Sequence, residues 1–90
     1  HEQAGRRPGV VLSPVSYNRP VGMALVCPIT KHAKGYAYEV AIPAGLPVYG
    51  VVLADQLRAM DLRARGASYI CSLPPLLVAD VLAKARALLK

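Results

Sequence analysis

The chain has 90 residues, of which 54% are hydrophobic and 18% are charged, and its 11 Lys and Arg residues against 5 Asp and Glu residues give a net charge of +6. This composition is too apolar for an intrinsically disordered chain, and the length suits one folded domain over residues 1–90. The apolar runs are much shorter than the ~18 residues that a membrane-spanning helix needs, so the composition predicts a small, basic, soluble domain.

The positive charge is spread along the chain, because residues 1–40 and residues 41–90 each carry three more basic than acidic side chains. It therefore belongs to the folded surface, where it favours anionic partners. Nucleic acid is the first candidate partner and an acidic protein segment the second. Plain solubility is the remaining explanation.

Short segments that are rich in Val, Ile and Tyr and bounded by turn residues predict strands along the first 73 residues. The predicted strands are Gly9–Ser13, Met23–Pro28, Tyr36–Ile42, Val51–Ala54, Gln56–Asp61 and Ser68–Leu73. Pro14–Gly22 and Pro43–Pro47 are predicted turns, since proline there cannot continue a ladder. The continuous apolar runs Val10–Leu12 and Val51–Leu53 predict strands covered on both faces.

The last segment, residues 74–90, changes to a helical period. Ser72 is the predicted N-cap, Pro74 and Pro75 suit the first helical positions, and Asp80 with Lys84 forms a favourable i,i+4 pair. The predicted apolar face consists of Leu77, Val78, Val81, Leu82, Ala85, Leu88 and Leu89. The sequence thus predicts a mostly β protein of the α+β class, a small antiparallel barrel closed by a C-terminal helix. With no Phe or Trp the core is thin, which favours dimerisation.

The two cysteines, Cys27 and Cys71, lie 44 positions apart within apolar runs and outside any CxxC pair. Their placement predicts buried free thiols in a reducing cytoplasm. His1 and His32 show no ligand spacing toward them, so neither a metal site nor a cofactor is expected.

Two stretches place charged or hydrogen-bonding groups beside predicted strands. Glu2–Pro8 presents a carboxylate and two guanidiniums before the first strand, or it is a solvated loop with an internal ion pair. Thr30, after Pro28 and Ile29, can donate to a phosphate oxygen or cap a turn. On residue types alone, the structural interpretation is favoured for both.

Two further stretches are basic. Lys31–Tyr36 combines basic and aromatic side chains as single-stranded nucleic acid sites do, although solvated hairpin tips share this composition. Within it, His32 has the chemistry of a general base, but an exposed histidine without function is the favoured interpretation. Asp55–Arg65 alternates polar and apolar residues, and its structural interpretation is a self-paired solvated face. As a strand it exposes three arginines: Arg58, Arg63 and Arg65.

In their order and spacing, these stretches resemble the MazF/PemK family of bacterial toxins, the RNA-cleaving components of toxin–antitoxin pairs. The matching stretches are Glu2–Pro8, Val10–Pro14 with Tyr17 and Asn18, Val26–Thr30, Lys34–Tyr36 with Glu39 and Val40, Gly50–Gln56, Asp61 and Arg63–Arg65. The resemblance covers nearly the whole chain up to Arg65, although Leu62 stands where the family often has tryptophan.

The resemblance implies an SH3-like antiparallel barrel with a C-terminal helix, of the type shared by MazF and CcdB toxins, that forms a homodimer. Family members begin with a further strand, so it also implies that the N-terminal strand is missing from this chain. The implied activity is metal-independent cleavage of single-stranded RNA, often mRNA, at short sequences and without a cofactor. The implied protein partner is a MazE-like antitoxin whose acidic tail occupies the RNA groove.

By position, Arg7 and Thr30 fall on the family's catalytic pair, Glu2 on an acidic residue of the same site, and Lys34 on the loop beside it. Metal-free cleavage uses the 2′-hydroxyl as nucleophile and leaves a cyclic phosphate and a 5′-hydroxyl. Arg7 suits stabilisation of the added phosphate charge, and Glu2 is the hypothesis for the base because a guanidinium stays protonated. The expected RNA contacts are Asn18, Lys34, Arg58, Arg63 and Arg65.

Two other functions fit the same fold. DNA-gyrase poisons related to this family bind protein without doing chemistry, but they lack the arginine–threonine pair that Arg7 and Thr30 match. A non-catalytic RNA-binding or structural barrel is the other alternative, with activity lost together with the first strand.

Overall fold

The computed structural model describes residues 7–89. The elements in chain order are β1 (Gly9–Val11), α1 (Val15–Val21), β2 (Ala24–Thr30), β3 (Glu39–Ala41), β4 (Val51–Leu53), β5 (Arg58–Met60) and α2 (Pro75–Ala87). All strand pairs are antiparallel. The predicted class, mostly β with a C-terminal helix, is confirmed.

The seven-residue strand β2 organises the sheet, because three other strands pair with it. β1 lies along one edge, with Gly9 opposite Pro28. β4 pairs with the last two residues of β2, placing Val51 opposite Thr30, and β3 continues the sheet beyond β4. β5 pairs with the first three residues of β2. One strand therefore links two groups of partners, and the site described below lies where it ends.

The core lies between the sheet and α2, and its most completely buried side chains are Cys27, Val52 and Val81. Leu77, Val81 and Ala85 bury one stripe of α2, as the helical period predicts. Burial, followed by the charge of Asp55, raises the pKa of the Cys27 thiol. Both cysteines are free thiols, and Cys27 is buried as predicted, whereas Cys71 is only half-buried.

The predicted turn over Pro14–Gly22 is wrong, because most of it forms α1. Pro14 precedes the helix, where a proline removes no helical hydrogen bond, and Pro20 lies in its last turn. Gly22 ends the helix in the left-handed conformation and donates its N–H to the Asn18 carbonyl at 2.9 Å. The two prolines among these nine residues favoured a turn in the prediction, although seven of the residues form a short helix.

The predicted strand Ser68–Leu73 is also wrong. The segment is irregular, Tyr69 is 79% exposed, and within residues 7–89 no strand pairs with it. Its β-branched and aromatic residues carry strand propensity, but a strand needs a partner ladder. Ser72 is not the N-cap of α2 either, because Pro74 holds that position and the Ser72 hydroxyl pairs with the Tyr69 hydroxyl at 2.8 Å.

The burial pattern is partly as predicted. Val51 and Val52 are buried as expected, whereas β1 is covered on one face only, because Val10 is buried and Val11 is 43% exposed. The Asp80–Lys84 ion pair is present at 3.7 Å. The two described helices have 7 and 13 residues, and neither has the length and apolar character that crossing a bilayer requires.

Candidate active site at the end of the second strand

The pairing of β1 with β2 brings two sequence-predicted residues together. Below Gly9 and Pro28 the ladder continues, since the Ile29 N–H donates to the Pro8 carbonyl at 3.0 Å. Arg7 precedes Pro8 and Thr30 follows Ile29, so this bond brings the two segments that carry Arg7 and Thr30 side by side, although the residues are 23 positions apart in the sequence. The Arg7 side chain is exposed.

The Thr30 hydroxyl is oriented by the chain that follows it. The His32 backbone N–H donates to Thr30 Oγ1 at 3.1 Å, which closes a local side-chain turn after the strand. A hydroxyl has one proton and two lone pairs, so this bond occupies an acceptor site and leaves the O–H proton available for another partner. The threonine therefore caps its turn and can still donate to a ligand. The two roles that the sequence allows for Thr30, turn cap and phosphate donor, are compatible.

A cavity of about 290 Å³ lies beside Thr30. It is lined by Leu53 and by six residues with polar side chains: Thr30, His32, Lys34, Tyr36, Glu39 and Gln56. It joins the end of β2 to the basic loop that follows, so the loop singled out in the sequence forms a wall of the same site.

The Glu39 carboxylate holds that loop in place. One oxygen accepts the Lys34 backbone N–H at 2.8 Å and the other accepts the Gly35 N–H at 2.9 Å. Such charge-assisted bonds to backbone amides are among the stronger hydrogen bonds in proteins. Sequence reasoning missed this positioning role. The available signal was an acidic residue at the start of a strand, four residues after a glycine in a basic loop.

The other side of the loop is tied to the turn after β4. The Tyr36 hydroxyl donates to Asp55 Oδ1 at 3.0 Å, and this bond is the main cause that raises the pKa of Tyr36. Because the shift favours the protonated phenol, the bond persists until the pH rises above the ordinary tyrosine range.

Gly50 supports Thr30 from the neighbouring strand. Gly50 has φ +116°, and a Cβ built on it would collide with the Thr30 carbonyl oxygen. A side chain at this position would also be strained by the positive φ. The close packing of backbone against backbone explains why a glycine precedes β4.

The remaining predicted site residues do not lie together at the cavity beside Thr30. Glu2 lies outside the described residues. Asn18 and Arg63 line a second cavity of about 420 Å³, together with Arg19 and Asp61. All three arginines are exposed, as the sequence predicts. Arg58 and Arg65 line neither of the two cavities.

Asn18 is engaged within the fold. Its Nδ2 donates to the Ser13 carbonyl at 3.1 Å, and its Oδ1 accepts the Ser13 hydroxyl, whose oxygen in turn accepts the Leu25 N–H at 2.9 Å. This chain of bonds fastens α1 to β2. Among the described residues, no three His, Cys, Asp or Glu side chains cluster as a metal site would require.

The chain is similar to known proteins in family, in sequence and in structure. The model of a family described as PemK-like, MazF-like toxin of type II toxin–antitoxin system matches residues 1–89. The endoribonuclease toxin MazF of Escherichia coli K12 is 52% identical over 67 residues, which are 74% of this chain and 60% of that protein. The endoribonuclease PemK of Escherichia coli is 32% identical over 88 residues, covering 93% of this chain and 66% of that protein.

Solved structures agree with the sequence matches. MazF in a MazE–MazF crystal structure from Deinococcus radiodurans is 47% identical with a TM-score of 0.91, and the match covers 94% of this chain and 86% of that one. A mycobacterial endoribonuclease in complex with its cognate antitoxin, 21% identical at a TM-score of 0.77, shares the fold. Against the E. coli MazF proteins, the chain spans about 60% of the relative's length.

Proposed function

Because the chain belongs to the family of PemK-like, MazF-like toxins of type II toxin–antitoxin systems, we propose that it acts as an endoribonuclease on single-stranded RNA. The observation that supports the proposal is the pairing of Pro8 with Ile29 beside β1 and β2, because it brings the segment that carries Arg7 next to the segment that carries Thr30, a residue of the cavity wall. Relatives whose names state endoribonuclease activity support it. The chain's net charge of +6 suits a polyanionic substrate.

In the proposed mechanism the RNA's own 2′-oxygen attacks the adjacent phosphorus. The P–O5′ bond then breaks, which leaves a 2′,3′-cyclic phosphate and a 5′-hydroxyl. Arg7 binds the phosphate oxygens as charge builds on them, and the Thr30 O–H donates a further hydrogen bond to the same group. Such preorganised donors supply the largest single contribution in many enzymes.

Two proton transfers accompany these bond changes. Glu2 is the proposed base that takes the proton of the 2′-hydroxyl, since Arg7 remains a guanidinium. The 5′-oxygen takes up a proton as it leaves, and His32, which lines the cavity, is our candidate for supplying it. The sequence alone favoured no function for this histidine; its place in the cavity wall is the reason to test one.

Lys34 in the cavity wall is the proposed RNA contact nearest the cleaved bond. Exposed Arg58, Arg63 and Arg65 are proposed to contact phosphates further along the strand, and Asn18 a base. We propose that the working form is a cytoplasmic homodimer inhibited by an antitoxin with an acidic segment. The thin core and basic surface support this, as do relatives crystallised with MazE or with a cognate antitoxin.

The deciding experiment incubates the purified chain with a long single-stranded RNA in EDTA. We expect discrete fragments whose 5′ ends can be phosphorylated directly and whose 3′ ends carry cyclic phosphate. An Arg7→Ala preparation run in parallel controls for contaminating nuclease. Binding without cleavage would support the RNA-binding barrel instead. If the chain neither binds nor cleaves the RNA, the alternative of a gyrase-binding protein is favoured. Light scattering of the same sample gives the oligomeric state.

A further inference from the structure

An exposed aromatic ring and a lysine form a pair immediately beside the candidate active site. The Lys31 ammonium lies 5.1 Å from the centre of the Tyr49 ring, within cation–π distance. Tyr49 is 61% exposed, although tyrosine is a residue that folding normally covers at least in part. Neither residue belongs to the cavity lining, and the proposed chemistry uses neither.

The backbone on both sides of Tyr49 is held firmly. Val48 is buried in the core, and Gly50 packs against the Thr30 backbone at the start of β4. Lys31 directly follows Thr30 in sequence. The backbone positions of Tyr49 and Lys31 are therefore held close to Thr30, whose hydroxyl is proposed to contact the cleaved phosphate.

Aromatic rings and basic side chains together bind single-stranded nucleic acid, because every base has a flat π face that stacks on a ring and cations contact the phosphates. Since the Lys31 ammonium lies over one face of the Tyr49 ring, a base stacks on the other face. We propose that Tyr49 stacks an unpaired base adjacent to the cleaved phosphate and that Lys31 contacts the phosphate beside that base. This inference rests on the proposed endoribonuclease function and adds a binding subsite to it.

Tyr69 provides a matched control. It is more exposed than Tyr49, at 79%, but its hydroxyl pairs with Ser72 on the irregular segment before α2, and no described cation lies over its ring. If exposure of an aromatic ring were sufficient for RNA binding, replacing either tyrosine would have the same effect.

The test uses a short RNA that the wild-type chain cleaves, together with versions in which each nucleotide flanking the cleaved bond is made abasic in turn. We expect Tyr49→Ala to raise KM about tenfold, Tyr49→Phe to restore it, and Tyr69→Ala to leave it unchanged. One abasic position should weaken wild-type binding by a similar factor and have no further effect in Tyr49→Ala. That non-additivity identifies the base that stacks on the ring.

Lys31→Gln tests the second half of the subsite. In a plot of the logarithm of the binding constant against the logarithm of the salt concentration, we expect the slope to become less steep by about 0.7. That is the value for one phosphate contact on a single strand. Equal KM values for wild type and Tyr49→Ala, with only a lower melting temperature in the variant, would overturn the subsite while wild-type cleavage still supported the nuclease. A wild-type chain that neither binds nor cleaves RNA would overturn the proposed function itself.

Discussion

Two cavities in the described part of the chain differ in how their polar side chains are bonded. At the end of β2, the loop is held by Glu39, and Thr30 keeps its hydroxyl proton available. Beside α1, the amide of Asn18 is bonded to Ser13, and the Asp61 carboxylate accepts the Ala64 N–H at 3.0 Å. Asn18 and Asp61 of the larger cavity are thus bonded within the fold, whereas Thr30 of the smaller one keeps a hydroxyl donor for a ligand.

This difference is a physical reason to assign the active site to the smaller cavity. A polar group already satisfied by the fold contributes to stability, whereas one with an unused donor can bind a substrate. Substitutions should therefore separate the cavities: changes around Thr30 should reduce cleavage, and changes around Asn18 should reduce stability.

Arg7→Ala should have the largest effect on activity. Because it removes the guanidinium proposed to hold the developing phosphate charge, we expect kcat/KM to fall by about 100- to 1,000-fold. Arg7 is exposed, so the thermal unfolding curve should not change. Arg19→Ala, an exposed arginine lining the larger cavity, is the matched control and should stay within twofold of wild type. Equal losses in both variants would mean that bulk charge, and not position, drives cleavage.

Gly50→Ala should be the most destabilising change near the smaller cavity. It adds a Cβ that meets the Thr30 carbonyl, and it also pays for a positive φ, so we expect a loss of roughly 2–3 kcal/mol in the free energy of unfolding. Gly45→Ala separates the two causes. Gly45 has φ +95° but open space around its Cβ position, so its loss should be about 1–2 kcal/mol. Urea unfolding of both variants makes the comparison, and identical values would show that the contact with Thr30 is not important.

Thr30→Val should reduce cleavage, with only a small loss of stability because the bond from the His32 N–H to Thr30 Oγ1 is exposed. The change keeps the shape of the side chain but removes the donor to the phosphate, and we expect kcat/KM to fall by about 10- to 100-fold. Thr30→Ser should recover most of this loss because it restores the hydroxyl. Full activity in the valine variant would remove Thr30 from the mechanism.

Asn18→Ala should show the reverse pattern. It breaks the bonds to Ser13 that fasten α1 to β2, so we expect a loss of about 1–2 kcal/mol in unfolding free energy. Cleavage measured well below the melting temperature should keep its kcat. Because Asn18 is also proposed to contact a base, KM should rise in the folded variant, and an unchanged KM would remove Asn18 from the RNA contacts.

Arg63→Gln should have the smallest effect. If Arg63 contacts one phosphate of the strand, the salt dependence of RNA binding should fall by about 0.7 in the log–log slope, with kcat unchanged. Arg86→Gln, a change at an exposed position on α2, should leave the slope as it is. A filter-binding titration over several salt concentrations distinguishes the two variants.

Sequence reasoning was most successful where a residue's surroundings are determined locally. Cys27 and Val52 lie in apolar runs, and both are fully buried; the i,i+4 pair of α2 follows from helical spacing alone. The predictions were wrong where the secondary structure or the exposure of a segment depends on residues far away in the sequence. Residues 68–73 have strand-forming side chains but no ladder among the described strands, and Val11 is exposed because one face of β1 is uncovered.

The candidate site shows the same division. The ordered motifs from Glu2 to Arg65 were sufficient to identify the family resemblance and to nominate Arg7, Thr30 and Lys34. They gave no indication that the Glu39 carboxylate binds two loop amides, that Gly50 lies against the Thr30 backbone, or that Asn18 is bonded to Ser13. Composition, spacing and motif order determined the fold class and the kind of chemistry, because these depend on residue type and local period. Strand register and backbone packing alone decided which groups meet and which remain available, because such contacts join residues that are far apart in the chain.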